Sequence, residues 1–465
     1  MLIRFSFKNF KSVGLEPLTL EMVSSAKVRT LKTHVCASSK RVKVLRNAVV
    51  YGGNAAGKTT LVRALSFMKV TVLEGILPQV GAREFCRCGK GLAEEESTFD
   101  IQFKVGEDVF DYGFSCILSR LEIRSEWLYL LGSSAKPVFK RGRAEGVSFG
   151  KWLLDKCEDM DRFRLNVYRE DFLDEPAAKS RLFLAYMADG KGLRPGSSLS
   201  VFPEATSWFS SCLDVIDAGQ RTQTTEFYAD DKGLDAVAEV LSSFDTGVDG
   251  LKKERVPIGE LDKYVPEALV LAIKEVLRGN VPKGDDDRTV LTVRNDDVFL
   301  GVERTGMNEP EAAILRTTHE GSFFDFDFHD ESDGTRRLFD FMDLLFTKSK
   351  DRVFVVDELN RNFHPMLTQH LVELFNEVHA DDDCQLVFTT HENDIMSYKY
   401  FRRDEIWFVE RGDEGLTRLY PLDQFASGDA RSDARLSKRY LEGRYGGVPV
   451  INLSRARAAL GIEED

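Results

Sequence analysis

The octet Gly52-Gly53-Asn54-Ala55-Ala56-Gly57-Lys58-Thr59 decides most of what this chain can become. It fits the spacing G-x-x-x-x-G-K-[ST], and it has the flanks that this pattern needs. Before it, Asn47-Ala48-Val49-Val50-Tyr51 is a short apolar run that predicts a buried strand. From Thr59 onward, TTLVRALSFMKVTV has helical spacing. Strand, glycine-rich turn and helix together make an anion cradle. The glycines let successive backbone N–H groups face one phosphate, and the helix N-terminus adds the positive end of its dipole. An α/β fold is therefore expected.

A second element matches the first. Val353-Phe354-Val355-Val356 predicts a buried strand, and Asp357 and Glu358 stand at its C-terminal end, where α/β sheets place ligands. On this pattern ATP and Mg²⁺ are the expected cofactors. Gly52 to Thr60 form the cradle, with Lys58 on the β- and γ-phosphates, and Thr59 and Asp357 hold the metal ion. Glu358 is the candidate general base that polarises water. His391 follows the apolar strand Gln385-Leu386-Val387-Phe388-Thr389-Thr390 and is a candidate γ-phosphate contact. Upstream, Glu331-Ser332-Asp333-Gly334-Thr335 precedes an amphipathic segment. Ser332 and Gly334 at that helix N-terminus are candidate anion contacts, and Ser332 or Asp333 also suits a plain N-cap. In His364-Pro365 the proline suits the first position of a helix.

Three regions are expected. Residues 1–150 form an N-terminal half with the phosphate loop and an antiparallel β-subdomain, since residues 97–130 alternate as strands broken by turn residues. Residues 151–285 read as a largely helical insertion lobe, from patterns such as AAKSRLFLAYMA, LDAVAEVLSSF and EALVLAIKEVLRG. Residues 286–465 form a C-terminal half, with strands at 288–293, 324–328, 353–356 and 385–389 and a hairpin at 405–420. No heptad register is sustained, so a long coiled coil is excluded.

Composition narrows the class. Forty-three per cent of the residues are hydrophobic and 33 are Phe, which excludes a disordered chain. Seven scattered cysteines fit a reducing compartment, and neither a secretory signal nor a membrane span is seen, so a cytoplasmic location is expected. The pair Cys86/Cys88 lacks a second pair at zinc spacing. A net charge of −13 opposes general DNA affinity, which leaves any DNA contact to the basic stretches 136–143 and 431–444.

The motifs FSFKNFKS, GGNAAGKTTL, ESDGT, VVDELNRNFHP and TTHENDIM, in this order, resemble the ABC-type ATPases of the SMC/RecF/OLD branch. With DEIWFVER and YLEGRYGGVP they look like the AAA-type, RloA/AbiL-like ATPases of phage-defence and abortive-infection operons. The resemblance covers roughly residues 1–130 and 290–450. It implies a nucleotide-sandwiched dimer or higher homo-oligomer, in which Ser332 and Gly334 of one copy face Lys58, Thr59, Asp357, Glu358 and His391 of another. It also implies a separately encoded effector, such as a TOPRIM-type nuclease, under control of an ATP-driven switch. The signature loop is SDGT rather than LSGGQ, Gln102 is the only candidate offered for a Q-loop, and no TOPRIM acidic cluster follows residue 430. The competing reading is a RecF/SMC-like ATPase that binds DNA in repair or recombination. It needs a continuous basic track, and only short patches are present.

Overall fold

The computed structural model describes residues 1–36, 42–143, 145–189, 193–194, 196–217, 228, 231–279, 288–294, 298–306, 308–347, 349–425, 436–449 and 453–460. Residues 431–435 of the second basic stretch lie outside them.

The chain divides into two compact units. The first is Met1–Ala218, Asp351–Leu359 and His379–Asp465; the second is Gly219–Lys350 and Asn360–Val378. In chain order the strands of the first unit are β1 (Leu2–Lys8), β2 (Leu18–Glu21), β3 (Val35–Cys36), β4 (Val44–Leu45), β5 (Asn47–Tyr51), β6 (Ser97–Val105), β7 (Asp108–Ile117), β8 (Glu122–Leu131), β9 (Ala135–Gly142), β10 (Gly146–Phe149) and β11 (Leu213–Ile216). The second unit supplies β12 (Val248–Val256), β13 (Arg288–Arg294), β14 (Phe299–Thr305) and β15 (Glu311–His319). The first resumes with β16 (Val353–Val356), β17 (Gln385–Thr390), β18 (Ile406–Arg411) and β19 (Thr417–Pro421).

Two large sheets build the first unit. One has the order β10-β9-β8-β7-β6-β1-β2 and is antiparallel throughout. The other has the order β11-β16-β17-β5-β18-β19; it is parallel except for the β18–β19 hairpin. In the parallel sheet β5, β16 and β17 are buried along their whole lengths, as strands covered on both faces must be. One apolar core joins the two sheets through the helix Lys58–Glu74. Phe67 of that helix packs against Phe10 and Phe99 in tilted ring contacts, with centroids 5.3 and 4.9 Å apart. The aromatic run of β1 and its following turn therefore fixes the helix that leaves the phosphate loop. Truncating a buried Phe of this kind costs about 3–5 kcal/mol.

The second unit holds the antiparallel sheet β12-β15-β14-β13 and the helices Asp231–Ser243, Glu267–Gly279, Asp333–Asp340 and Pro365–Val378. Among the described residues the fold is thus α/β, with one mixed sheet, two large antiparallel sheets and the small antiparallel pair β3-β4.

The 151–285 segment differs from a single helical lobe in three ways. Its first part packs into the core of the first unit through Leu153, Leu165, Phe172, Phe183 and Phe202. It then contributes β11 to the parallel sheet, beside β16. Later, β12 runs through VDGLKKERV, an edge strand whose charged residues face outward and mask the alternation. The AAKSRLFLAYMA pattern splits into a 3₁₀ turn, Pro176–Lys179, and a short helix, Phe183–Ala188. The strand expected at 324–328 is absent: Phe326 makes one isolated bridge to Thr317, and a 3₁₀ turn begins at Phe328. Gln102 lies inside β6, where its side chain donates to Asp111 at 2.9 Å, a cross-strand tie. No helix among the described residues is long and apolar enough to cross a membrane. All seven cysteines are free thiols.

Candidate functional site

β5 leads into the loop 52–57, and the helix Lys58–Glu74 leaves it with no side-chain cap on its N-terminal amides. Those amides remain available to an anion, which suits the helix end to a phosphate group. Two residues of the loop stand in the left-handed region, Ala55 at φ 60° and Gly57 at φ 114°. Gly57 is required twice over, because a Cβ there would also lie 2.3 Å from Thr417 Oγ1. Asn54 and Ala55 are exposed, Gly53, Gly57 and Thr59 half-buried, and Gly52, Ala56, Lys58 and Thr60 buried. The Lys58 ammonium donates to the carbonyls of Gly52 at 2.7 Å and Gly53 at 3.2 Å, inside the curl of the loop. Burial lowers its pKa, and the nearby Glu358 and Asp357 pull it back up.

β16 ends beside the loop because it pairs with β17, which pairs with β5, all parallel. Asp357 follows directly and is buried; its backbone N–H donates to Ile216 O at 2.9 Å. Its carboxyl accepts from Thr389 Oγ1 at 2.6 Å, and the Thr59 hydroxyl is near enough to favour its charged form. Burial pushes its pKa up, the two hydroxyl donors hold it down, and Asp217 and Glu358 add to the rise. Glu358 is half-buried and adopts φ 50°, uncommon for a residue with a side chain. Its N–H donates to Thr389 Oγ1 at 2.8 Å, so this one hydroxyl serves both acidic residues. His391 is exposed at the C-terminal end of β17, between the strand ends that carry the loop and the acidic pair. Lys58, Thr59, Asp357, Glu358 and His391 are therefore gathered along one edge of the parallel sheet.

The donors present fit the expected cofactors. The Thr59 hydroxyl lies close enough to the Asp357 carboxyl to favour its charged form, and this pair of hard oxygen donors is of the kind that Mg²⁺ takes. The loop amides and Lys58 fit a polyphosphate.

Ser332 and Gly334 belong to the second unit. Ser332 is the N-cap of the helix Asp333–Asp340, and its Oγ accepts from Thr335 N at 3.1 Å. It is exposed, so it presents the helix end outward. A Cβ at Gly334 would lie 3.0 Å from Asn362 O, which brings the signature-like loop against the loop that follows the acidic strand. Glu331 is buried, and it accepts from the Thr317 hydroxyl and pairs with His319 Nε2 at 2.7 Å. Behind the helix, Arg294 and Asp340 form an ion pair at 2.8 Å with both side chains 1% exposed. Pro365 opens the helix Pro365–Val378, and His364 Nδ1 accepts from Met366 N at 3.3 Å.

Three contributors were not singled out as site residues by the sequence, although Thr389 lies inside the TTHENDIM motif. Thr389 ties the acidic pair together. Asp217, one residue past β11, presses its charge on Asp357. The Thr417 hydroxyl donates to Ala56 O at 3.0 Å and hydrogen-bonds Ser12 Oγ at 2.7 Å, while Ser12 shares a further hydrogen bond with Thr60 at 3.0 Å. Ser12 could have been found from its place in FSFKNFKS; Thr417 gives no signal in the sequence.

Residues 250–397 match the family model described as "AAA domain, putative AbiEii toxin, Type IV TA system". Among solved structures, the chain is similar to an SMC head bound to the C-winged helix domain of ScpA. That match has 11% identity and a TM-score of 0.40, covering 92% of this chain and 99% of that one. It is also similar to the SMC head domain from Thermotoga maritima, with 11% identity and a TM-score of 0.31, covering 90% and 98%. No curated protein matches the chain. The matched stretch takes in Asp357, Glu358 and His391 and leaves the Gly52–Thr59 loop outside it.

Proposed function

We propose that the chain binds and hydrolyses ATP as a nucleotide-dependent switch in an anti-phage, abortive-infection system, and that it controls a separately encoded effector such as a TOPRIM-type nuclease. One observation carries the ATPase part: the parallel pairing of β5, β17 and β16 brings the Lys58–Thr59 loop and the Asp357–Glu358 strand end, 298 residues apart from Thr59 to Asp357, to the same edge of one sheet. The defence part draws on the motif resemblance and on the wording of the matched family, whose members are described in terms of a toxin of a toxin–antitoxin system.

Each residue then has a task. The loop amides that follow Gly53, with Lys58, bind and orient the β- and γ-phosphates. Thr59 and Asp357 hold Mg²⁺, which when bound offsets the charge that builds on the transferring phosphoryl group. Glu358 takes the proton of the attacking water, and the left-handed backbone held by Thr389 aims it there. His391 donates to the γ-phosphate side of the site. Ser332 and Gly334 of a second copy complete the far side, so that ATP joins two subunits and hydrolysis releases them. Transition-state charge is then met by donors from two chains, and turnover requires association.

The test is ATP hydrolysis per subunit across a range of protein concentration, with mass measured at each point. A specific rate that climbs as dimers or larger assemblies form supports the shared site. A flat rate from a protein that stays monomeric rules it out. Stimulation by duplex DNA, with no response to the product of a neighbouring gene, would turn the reading toward a repair ATPase.

A further inference from the structure

The segment Tyr440–Pro449, which carries GRYGG, lies directly on the phosphate loop. The Gly53 N–H donates to Gly447 O at 2.7 Å, and the Tyr440 hydroxyl donates to the same carbonyl at 3.0 Å. A Cβ on Gly53 would come within 3.1 Å of Pro449 N, so loop and segment are in backbone-to-backbone contact. The segment is itself fixed. Gly446 and Gly447 both adopt left-handed φ, 67° and 68°. A Cβ at Gly446 would meet the Tyr420 hydroxyl at 2.2 Å, and Tyr420 donates to Tyr445 O at 2.9 Å. The Tyr440 and Tyr445 rings stack on Phe408 of β18, with centroids 5.4 and 5.5 Å away.

We infer that Tyr440–Pro449 is a positioning clamp for the phosphate loop, acting through the Gly447 carbonyl. The inference rests on the nucleotide-site reading above. Physically, a glycine-rich loop that is free in solution must be ordered when it closes on phosphate, and every residue so fixed costs conformational entropy. Thr417 and Ser12 already hold the helix end of the loop, at Ala56 and Thr60. The clamp holds the strand end at Gly53, so the amides between are ordered before ATP arrives. Gly53 spends its N–H on Gly447, which leaves phosphate contacts to the amides that follow.

Two substitutions test it in the full chain. Tyr440→Phe keeps the ring stack and removes the hydroxyl bond to Gly447. Pro449→Ala keeps the hydrogen bonds and loosens the contact with Gly53. The probe is a fluorescent ATP analogue titrated by anisotropy, with kcat at saturating ATP and thermal melting measured alongside. Loss of one such bond should weaken ATP binding roughly three- to tenfold. Turnover at saturation should stay within about twofold, and Pro449→Ala should move the same way, by less. A lower melting temperature with unchanged affinity in both variants would mean that the segment is scaffold alone, and tighter binding would mean that it restrains the loop; either overturns the clamp. Lys58→Ala is the control. If ATP binding is lost there but unaltered in the clamp variants, only the clamp falls. If the unaltered chain binds no ATP, the nucleotide-site reading fails and takes the clamp with it.

Discussion

Replacing Thr389 with Val tests whether one hydroxyl organises the acidic pair. The residue is 1% exposed and valine has nearly its shape, so packing is kept and only polarity is lost. Thr389 Oγ1 donates to Asp357 Oδ1 at 2.6 Å and accepts from the Glu358 N–H at 2.8 Å. A hydrogen bond to a charged acceptor contributes about 1.5–3 kcal/mol, and a backbone N–H left unpaired costs about 1–3 more. The two losses share one site and do not add fully, so about 2–4 kcal/mol of destabilisation is expected. A second effect follows from charge. With a hydroxyl donor gone, the Asp357 pKa, already raised by burial, rises further. Its hold on Mg²⁺ weakens, and Glu358 is freed to leave φ 50°. The assay is thermal melting together with ATP hydrolysis titrated with Mg²⁺. The variant should melt lower, need more Mg²⁺ and turn over more slowly at saturation, while Thr389→Ser restores all three. A valine variant that matches the parent in melting and in Mg²⁺ dependence would refute the reasoning.

Four further outcomes are expected. Lys58→Ala should abolish ATP binding by calorimetry and the cellular protection phenotype; normal affinity would remove the phosphate-loop assignment. Glu358→Gln should bind ATP but lose about 100-fold or more in turnover and accumulate as an assembly seen by mass photometry; unchanged hydrolysis would exclude Glu358 as the base. Arg294→Met removes one of the two guanidinium partners of the buried Asp340 carboxylate, leaving Arg337 at 3.3 Å, and should destabilise the second unit by about 1.5–3 kcal/mol in denaturant melts. Asp100 has its pKa pushed up to about 6 by burial and by Asp111, partly offset by Arg4. The folded state therefore holds this proton more tightly than the unfolded state, and stability falls as pH rises from about 4 to about 6. Asp100→Asn should flatten that slope and melt higher than the parent at pH 7, an advantage that shrinks at pH 4.

The part of the parallel sheet that carries the candidate site was legible because residue type and local structure coincide there. Val49 to Lys58 and Val353 to Glu358 each combine a buried strand with residues that only a ligand edge rewards. β11 was hidden because four residues, with Asp214 paired outward to Arg352, show no periodicity to read. β12 was hidden for a related reason, since its KKER run lies on an edge and reads as a solvated loop. The aromatic repeat in GSFFDFDFHD reads as alternation, yet Phe323 is 96% exposed, so the rule that alternating apolar residues face a core does not apply there.

What local pattern could not reveal is how the loop is held. Ser12, Thr417 and Gly447 reach the phosphate loop from three distant segments, and the Ser12–Thr417 hydrogen bond alone spans 405 residues. Each is a small polar or backbone group, common in any sequence, and its effect arises only where the fold places it. The loop glycines carry the other half of that information. Gly57 leaves room for Thr417, and Gly53 leaves room for Pro449. A glycine pattern that reads as a demand for close approach to phosphate is also a demand for close approach by the protein's own C-terminal segment. The two demands separate experimentally: crowding Gly57 strikes at the φ 114° turn and the phosphate cradle together, whereas Tyr440→Phe touches only the support behind it.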